Sequence, residues 1–330
     1  MKKSFLMLGV AAMALASCTN EEVLNVAENR AIGFDAFTPH GTRAVSDMTG
    51  SGTETFKKFY VYGSYTTGAD NTTTVFNGEE VAYTSAWGYS PAQYWQNGDY
   101  KFAAYSNGNS SLLSGVTYTH DAGLKIENYP VGTADLIYAT ATADVDDKAT
   151  YSTPVGFTFN HILSKVKFTF DSSSFADNLK VTVSGLKIDN SKKTGTYNGT
   201  NWTSLSEEGA INYSTVDVNN SKYNTSGQDA IKPEECYVLP QSTEGLTASF
   251  TVTVTDALDA VVMEKSFTGV SLFVANNETW NAGFVYNYTA ELTEDNINTD
   301  GQAKPIVFTG NVNKWEDNTS GDGNLDIDQQ

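Results

Sequence analysis

The chain has 330 residues, 40% hydrophobic and 12% aromatic, enough to bury two domain-sized cores. Its formal net charge of −19 excludes nucleic acid as a natural partner, because a phosphate backbone would be repelled. Thr, Ser, Asn and Gly fill the gaps between short apolar runs, and no long 3.6-residue periodicity is present, so the fold class expected is all-β.

Residues 1–18 combine Lys2 and Lys3, a short apolar run and the small-residue ending Leu15-Ala16-Ser17-Cys18. The run is too short to span a bilayer, and residues 1–17 read as a signal peptide. The ending matches the bacterial lipobox, whose cysteine is acylated on sulfur and becomes the mature N-terminus. Cys18 is therefore the expected lipidation site and the link to the outer membrane. Glu21 and Glu22 behind it resemble the acidic signal that sends some lipoproteins to the outer face of the cell. With Cys18 acylated, Cys236 has no mate for an intramolecular disulfide, so stability must come from packed sheets.

Residues 19–30 are a polar tether, and after it the chain becomes a strand. Ile32, Phe34 and Ala36 alternate with Gly33, Asp35 and Phe37, the period-2 pattern of a half-buried strand. Pro39 and Gly41 end it, and Thr42-Arg43-Ala44 leads into a segment with little apolar content. An arginine-specific protease is expected to reach the Arg43–Ala44 bond. Cutting there leaves the first strand held by its contacts alone. Its loss would uncover pockets worth roughly 1.5–3 kcal/mol per large side chain and ladder hydrogen bonds worth about 1 kcal/mol each. Arg30 is a competing site, but cutting there leaves the strand on the body and vacates nothing.

Strands are then expected at 59–65, around an Asn77-Gly78 hairpin turn, after an Asn97-Gly98 turn, and near 115–119, 135–141 and 155–160. Phe157 to Phe170 reads as two alternating strands joined at Asn160-His161-Ile162, where the phase resets. The domain boundary is placed there, giving 44–161 and 162–330 after a propeptide of 18–43. A second set of strands follows at 178–189, 209–216, 236–240, 246–255, 260–270 and 283–293, so two sandwiches in tandem are the simplest account. At the end, Ile306, Phe308 and Val312 share one phase, and Leu325 and Ile327 alternate beyond a polar turn. A polar loop at 294–304 is expected to let this last hairpin swing away without disturbing the sandwich.

These residues together resemble the fimbrillins of Bacteroidales, subunits of type V pili within a large group of fimbrillin-like lipoproteins. The resemblance spans nearly the whole chain. It rests on the lipobox at Cys18, the Ile-x-Phe strand before Thr42-Arg43-Ala44, Val61-Tyr-Gly63 and Tyr94-Trp95 with Tyr100-Lys-Phe-Ala-Ala-Tyr105. It continues through Asp135-Leu-Ile-Tyr-Ala139, Phe159-Asn-His-Ile-Leu-Ser-Lys165 and Trp280-Asn-Ala-Gly-Phe-Val-Tyr-Asn-Tyr288. It implies two tandem transthyretin-like β-sandwich domains and a lipoprotein at the cell surface, supporting adhesion. Proteolysis after Arg43, with Ala44 as the new N-terminus, would free the strand whose groove-filling face is Ile32, Phe34 and Ala36. The partners implied are other fimbrial subunits and the protease. A donor strand, either Ile306, Phe308 and Val312 or Leu325 and Ile327, would fill the groove of the next subunit. Strand addition of this kind does not close on itself and so builds filaments.

Catalysis finds no support in the motifs. His40, His120 and His161 lie far apart, and no His-Glu-x-x-His, phosphate-binding glycine loop or Gly-x-Ser-x-Gly elbow occurs. His161 reads as a packed, hydrogen-bonded junction residue, and Cys236 as a buried inert thiol. The acidic runs 144–147 and 322–328 lack calcium-loop spacing, so no metal or cofactor is expected. The alternative function is a surface glycan-binding lipoprotein of the same fold, stacking sugars on Trp87 or Trp202, which are expected to be exposed. Trp95 and Trp280 are assigned to the core.

Overall fold

The computed structural model describes residues 30–37, 56–68, 71–108, 110–146, 151, 153–176, 178–213, 218–221, 230–231, 235–275, 277–298 and 304–315. Its first half carries β1 (Phe34–Phe37), β2 (Lys58–Thr66), β3 (Thr72–Tyr83), β4 (Trp87–Gly88) and β5 (Gly98–Ser106). Then come β6 (Val116–Thr119), β7 (Gly123–Pro130), β8 (Ile137–Val145), β9 (Val155–Thr158) and β10 (Asn160–His161). The second half carries β11 (Ser164–Asp171), β12 (Lys180–Tyr197), β13 (Trp202–Asn212), β14 (Val218–Ser221), β15 (Ala230–Ile231), β16 (Cys236–Val238) and β17 (Gln241–Ser242). It ends with β18 (Thr247–Thr255), β19 (Val261–Ser271), β20 (Thr279–Trp280), β21 (Phe284–Glu291), the short helix α1 (Glu294–Ile297) and β22 (Thr309–Lys314). The protein is all-β, as its composition requires.

The first sandwich sets a six-stranded sheet, β10-β8-β5-β2-β3-β4, against a two-stranded parallel layer of β1 and β9. Every residue from Phe59 to Ser64 of β2 is buried, because this central strand is covered on both faces. Phe59 and Val61 face the β1–β9 layer, together with Phe102 and Ala104 of β5. Tyr60 and Tyr62 face the other way, with Tyr105, into a separate core.

The second sandwich sets the sheet β15-β11-β21-β22, with β16 also on β11, against a seven-stranded sheet built on β12. Val166, Phe168 and Phe170 of β11 alternate inward against Val181 and Val183 of β12 and Phe250 and Val252 of β18. The strand β12 is 18 residues long and changes neighbours along its length, with β18 beside its first part and β7 beside its last. Through that pairing the hairpin β6–β7, from the first half of the chain, joins a sheet of the second half. The core holding Tyr60, Tyr62, Tyr105, Leu124, Ile126, Tyr138, Tyr197 and Leu239 lies where the halves meet.

Two local expectations are corrected. Asn77-Gly78 is not a hairpin turn: β3 runs straight through it, and the pairing slips between Val61–Glu79 and Tyr62–Asn77. Gly78 takes φ 85° as the extra residue of a bulge, a left-handed conformation that glycine adopts without strain. Residues 294–298 are not open loop either. Thr293 caps α1, its hydroxyl receiving the Asn296 N–H while the Asn296 side chain receives the Thr293 N–H, and Ile297 is fully buried.

Candidate functional site

The seat of the first strand is built from three sources. Its ladder partner is β9, in parallel register from Phe34–Val155 to Phe37–Thr158, and the Val155 N–H donates to the Gly33 carbonyl at 2.8 Å. Upstream, the segment 89–95 holds the strand: the Ile32 N–H donates to Gln93 O at 2.8 Å, the Trp95 N–H to Arg30 O at 2.9 Å, and Tyr89 Oη to Ile32 O at 2.8 Å. Burial pushes the Tyr89 hydroxyl above its ordinary pKa, against the hydrogen bond from the Gln93 N–H. Arg30 closes the entrance, donating from Nη2 to Trp95 O at 3.2 Å with its guanidinium 4.9 Å from the centre of the Tyr151 ring.

Side chains fill the seat. Ile32, Phe34 and Ala36 are 1%, 4% and 2% exposed. The Phe34 ring contacts Phe59, Phe76, Tyr89, Phe102 and Phe157, with centroids 5.3–6.3 Å apart. Removing β1 would bare those five rings and leave β9 as the remaining strand of its layer.

At the other end of the chain, β22 pairs with β21 from Thr309–Thr289 to Lys314–Phe284 and forms an edge of its sheet. Ile306 and Phe308 are buried and Val312 half-buried, in the single phase expected, while Val307 is 67% exposed. Phe308 packs against Phe168, Phe170, Phe250 and Tyr288. Gly310 runs close to the buried Asn277 amide: a Cβ there would clash with its Nδ2, so only glycine fits without displacement. This segment therefore cannot swing away without disturbing the sandwich, since Ile306 and Phe308 would leave a hole in its core.

Cys18, Arg43, Ala44, Leu325 and Ile327 lie outside the described residues. Trp87 and Trp202 do not stand clear of the surface as expected. Trp87 is half-buried among Phe56, Phe59 and Tyr83. Trp202 is half-buried against Tyr129 and Tyr197, its Nε1 donating to Ile162 O at 2.5 Å. Trp95 and Trp280 are core residues, at 1% and 0% exposure. Cys236 is half-buried on the short strand β16. Among the described residues, no group of three or more His, Cys, Asp or Glu is placed to hold a metal ion.

Sequence reasoning missed the cluster around Trp315. His161 places Nδ1 2.6 Å from Asp135 Oδ2 and stacks its ring on Trp315, with centroids 3.8 Å apart and planes nearly parallel at 7°. Lys165 Nζ lies 4.3 Å from the Trp315 ring, and Tyr237 stacks at 5.5 Å. The junction role read for His161 was one signal; nothing local links it to a tryptophan so far along the chain.

A family model for fimbrillin-like proteins matches residues 42–315, most of the chain. The chain belongs to the fimbrillin-like family. Solved structures at TM-scores above 0.5 share its fold. A Bacteroides uniformis protein assigned to cell adhesion is 22% identical at a TM-score of 0.53, the match covering 87% of this chain and all of that one. A Parabacteroides distasonis protein of the same assignment is 11% identical at 0.51, covering 88% and 98%. The fimbrial anchor protein of Porphyromonas gingivalis is 13% identical at 0.37, covering 86% and 96%. No curated protein matches this fimbrillin-like chain.

Proposed function

We propose that this fimbrillin-like protein is a subunit of a surface fimbria that supports adhesion and polymerises by strand exchange. In this reading Cys18 carries the lipid that holds the exported precursor at the outer membrane. Cleavage between Arg43 and Ala44 severs the peptide link between β1 and the body, and a C-terminal segment of a neighbouring subunit takes the vacated seat. The observation that carries it is the seat itself: the first of the described strands supplies a ring at the centre of a five-ring cluster, and among the described residues its ladder partner is β9.

A second observation supports a C-terminal donor. Ile306-Val-Phe308-Thr-Gly310 repeats the inward pattern of Ile32-Gly-Phe34-Asp-Ala36, isoleucine, phenylalanine and a small residue at alternate positions. Alternate side chains give strand addition its register, so the two segments suit the same pockets. Against this stands the burial of Ile306 and Phe308 in their own sandwich, which favours Leu325 and Ile327 as the donor face.

Digestion of the lipid-free protein with an arginine-specific protease tests the proposal. The expected result is a product beginning at Ala44 that forms ladders or filaments. Deleting residues 305–330 should abolish assembly. Deleting 316–330 should abolish it only if Leu325 and Ile327 are the donor. A chain cut at Arg43 that stays monomeric would overturn the polymerisation reading.

A further inference from the structure

We infer that the seat of β1 and the last strand β22 are coupled through His161, so that vacating the seat loosens β22 and readies the C-terminal segment for transfer. The inference rests on the strand-exchange reading for its purpose, but its physics stands on contacts within one subunit.

The first link is β9, the ladder partner of β1, whose Phe157 stacks on Phe34 at 5.7 Å and 15°. Phe157 meets Phe159 at 5.8 Å, and both are fully buried in the first core. One residue separates β9 from β10, so His161 follows Phe157 and Phe159 at alternate positions along the same extended run. Its ring leaves the first core and stacks on Trp315, one residue beyond the end of β22.

Trp315 is 7% exposed and held on several sides. His161, fixed by Asp135, takes one contact; Lys165 and Tyr237 supply others. Its N–H donates to Gly283 O at 2.8 Å, and the Gly283 N–H donates to Leu163 O at 2.8 Å, two residues past His161. The end of β22 is thus linked to the segment 161–163 directly by ring stacking and indirectly by backbone through Gly283. Among the described residues β22 is an edge strand of its sheet, so this tie bears directly on how often its end opens.

Loss of β1 takes the Phe34 ring and the ladder from β9. The segment 155–161 then has less to fix it, and the His161 ring presents a less rigid surface to Trp315. Ile306 and Phe308, anchored in the second core, are not on this path, so the loosening is confined to the end of β22. The arrangement would keep the C-terminal strand closed in the uncleaved precursor and relax it after the first strand departs.

Hydrogen exchange of the uncleaved chain tests this without a protease. Phe34→Ala is expected to speed exchange at Asn311 and Asn313, whose amides face β21, by about five- to tenfold, the size of a typical coupling between sites, while the Val252 and Val254 amides of β18 stay protected. In a His161→Ala background those β22 amides should already exchange fast, and adding Phe34→Ala should change them little further. If Phe34→Ala also exposes the β18 amides, the protein has unfolded globally, and Ile32→Val, a smaller loss in the same seat, gives the decisive reading. Faster exchange at β9 with β22 at its original rate would overturn the coupling, as would fully additive effects of the two substitutions. Failure of cleavage at Arg43 would sink the functional reading and leave this result intact. Filaments formed with no change at β22 would sink the coupling alone.

Discussion

The two faces of the six-stranded sheet carry different chemistry on the same strands. On β2, β5 and β8 the residues turned to the seat of β1 include Phe59, Val61, Tyr100, Phe102, Ala104, Ile137 and Ala139, and the Tyr100 hydroxyl receives the Gln96 N–H at 2.8 Å. Those turned to the junction are Tyr60, Tyr62, Ala103, Tyr105 and Tyr138. The seat face meets β1 mainly through rings and methyl groups, and the directed bonds to the first strand come from β9 and the segment 89–95. The junction face is wired by hydroxyls: Tyr60 Oη donates to Ser110 O at 3.0 Å, and Tyr105 Oη receives the Leu113 N–H at 2.8 Å. Directional bonds in a desolvated core specify one partner. One face is covered chiefly by apolar side chains, and the other by side chains whose hydroxyls fix their neighbours.

The largest test of this contrast is Phe34→Ala, expected to cost about 3–5 kcal/mol in denaturant unfolding, since the cavity opens onto five rings. A value under about 1 kcal/mol would mean that β1 contributes little to the first core, and the contrast would fail. Tyr105→Phe comes next. It strands the Leu113 N–H and should cost about 1–3 kcal/mol if that amide stays buried; a neutral result would show that the hydroxyl wiring is dispensable.

The same wiring has a pH signature. Burial pushes the Tyr62 and Tyr138 hydroxyls up to about 12 and raises Tyr105, Tyr129 and Tyr197 further. Folding holds these phenols neutral, while the unfolded chain ionises near pH 10. Their contribution is therefore fully present below about pH 10 and lost as pH rises toward the folded values. Unfolding midpoints between pH 8 and 11 should fall steeply above 10, and Tyr62→Phe with Tyr138→Phe should flatten that fall; an unchanged slope would contradict the assignment.

The smallest expected effect lies away from both faces. Burial works against the charge of Glu235, but Lys165 and Lys167, at 3.2 and 2.9 Å, hold its carboxyl below the usual glutamate value. This contribution is present above the ordinary carboxylate pKa and lost as pH falls through the depressed one. Its side chain is 36% exposed, so solvent weakens the pair. Glu235→Gln should shift the acid limb of the stability curve only slightly, and a change in the alkaline limb would be unexpected.

Much of this was readable before folding. The alternation Ile32-x-Phe34-x-Ala36 marked a strand with one buried face, and the run from Phe59 to Tyr65 marked a strand with aromatics on both faces, both of which the fold covers. The Asn77-Gly78 pair misled because its turn preference is local, whereas the ladder from Lys58 to Thr66 that carries β3 past it is not. Trp87 and Trp202 misled for a similar reason: polar neighbours in sequence say little about the aromatic rings that reach them from other strands.

By itself, then, the sequence determined the all-β class and the inward face of strands with clean alternation, such as Ile32-x-Phe34-x-Ala36 and Val166-x-Phe168-x-Phe170, because the alternation of a strand is a property of its own backbone. Tertiary structure alone decided that β6–β7 joins β12, that the C-terminal segment fills its own core, and that Trp315 meets His161. Those outcomes depend on which distant segments close together, and the loop-closure and packing energies that choose among them are not written in any local run of residues.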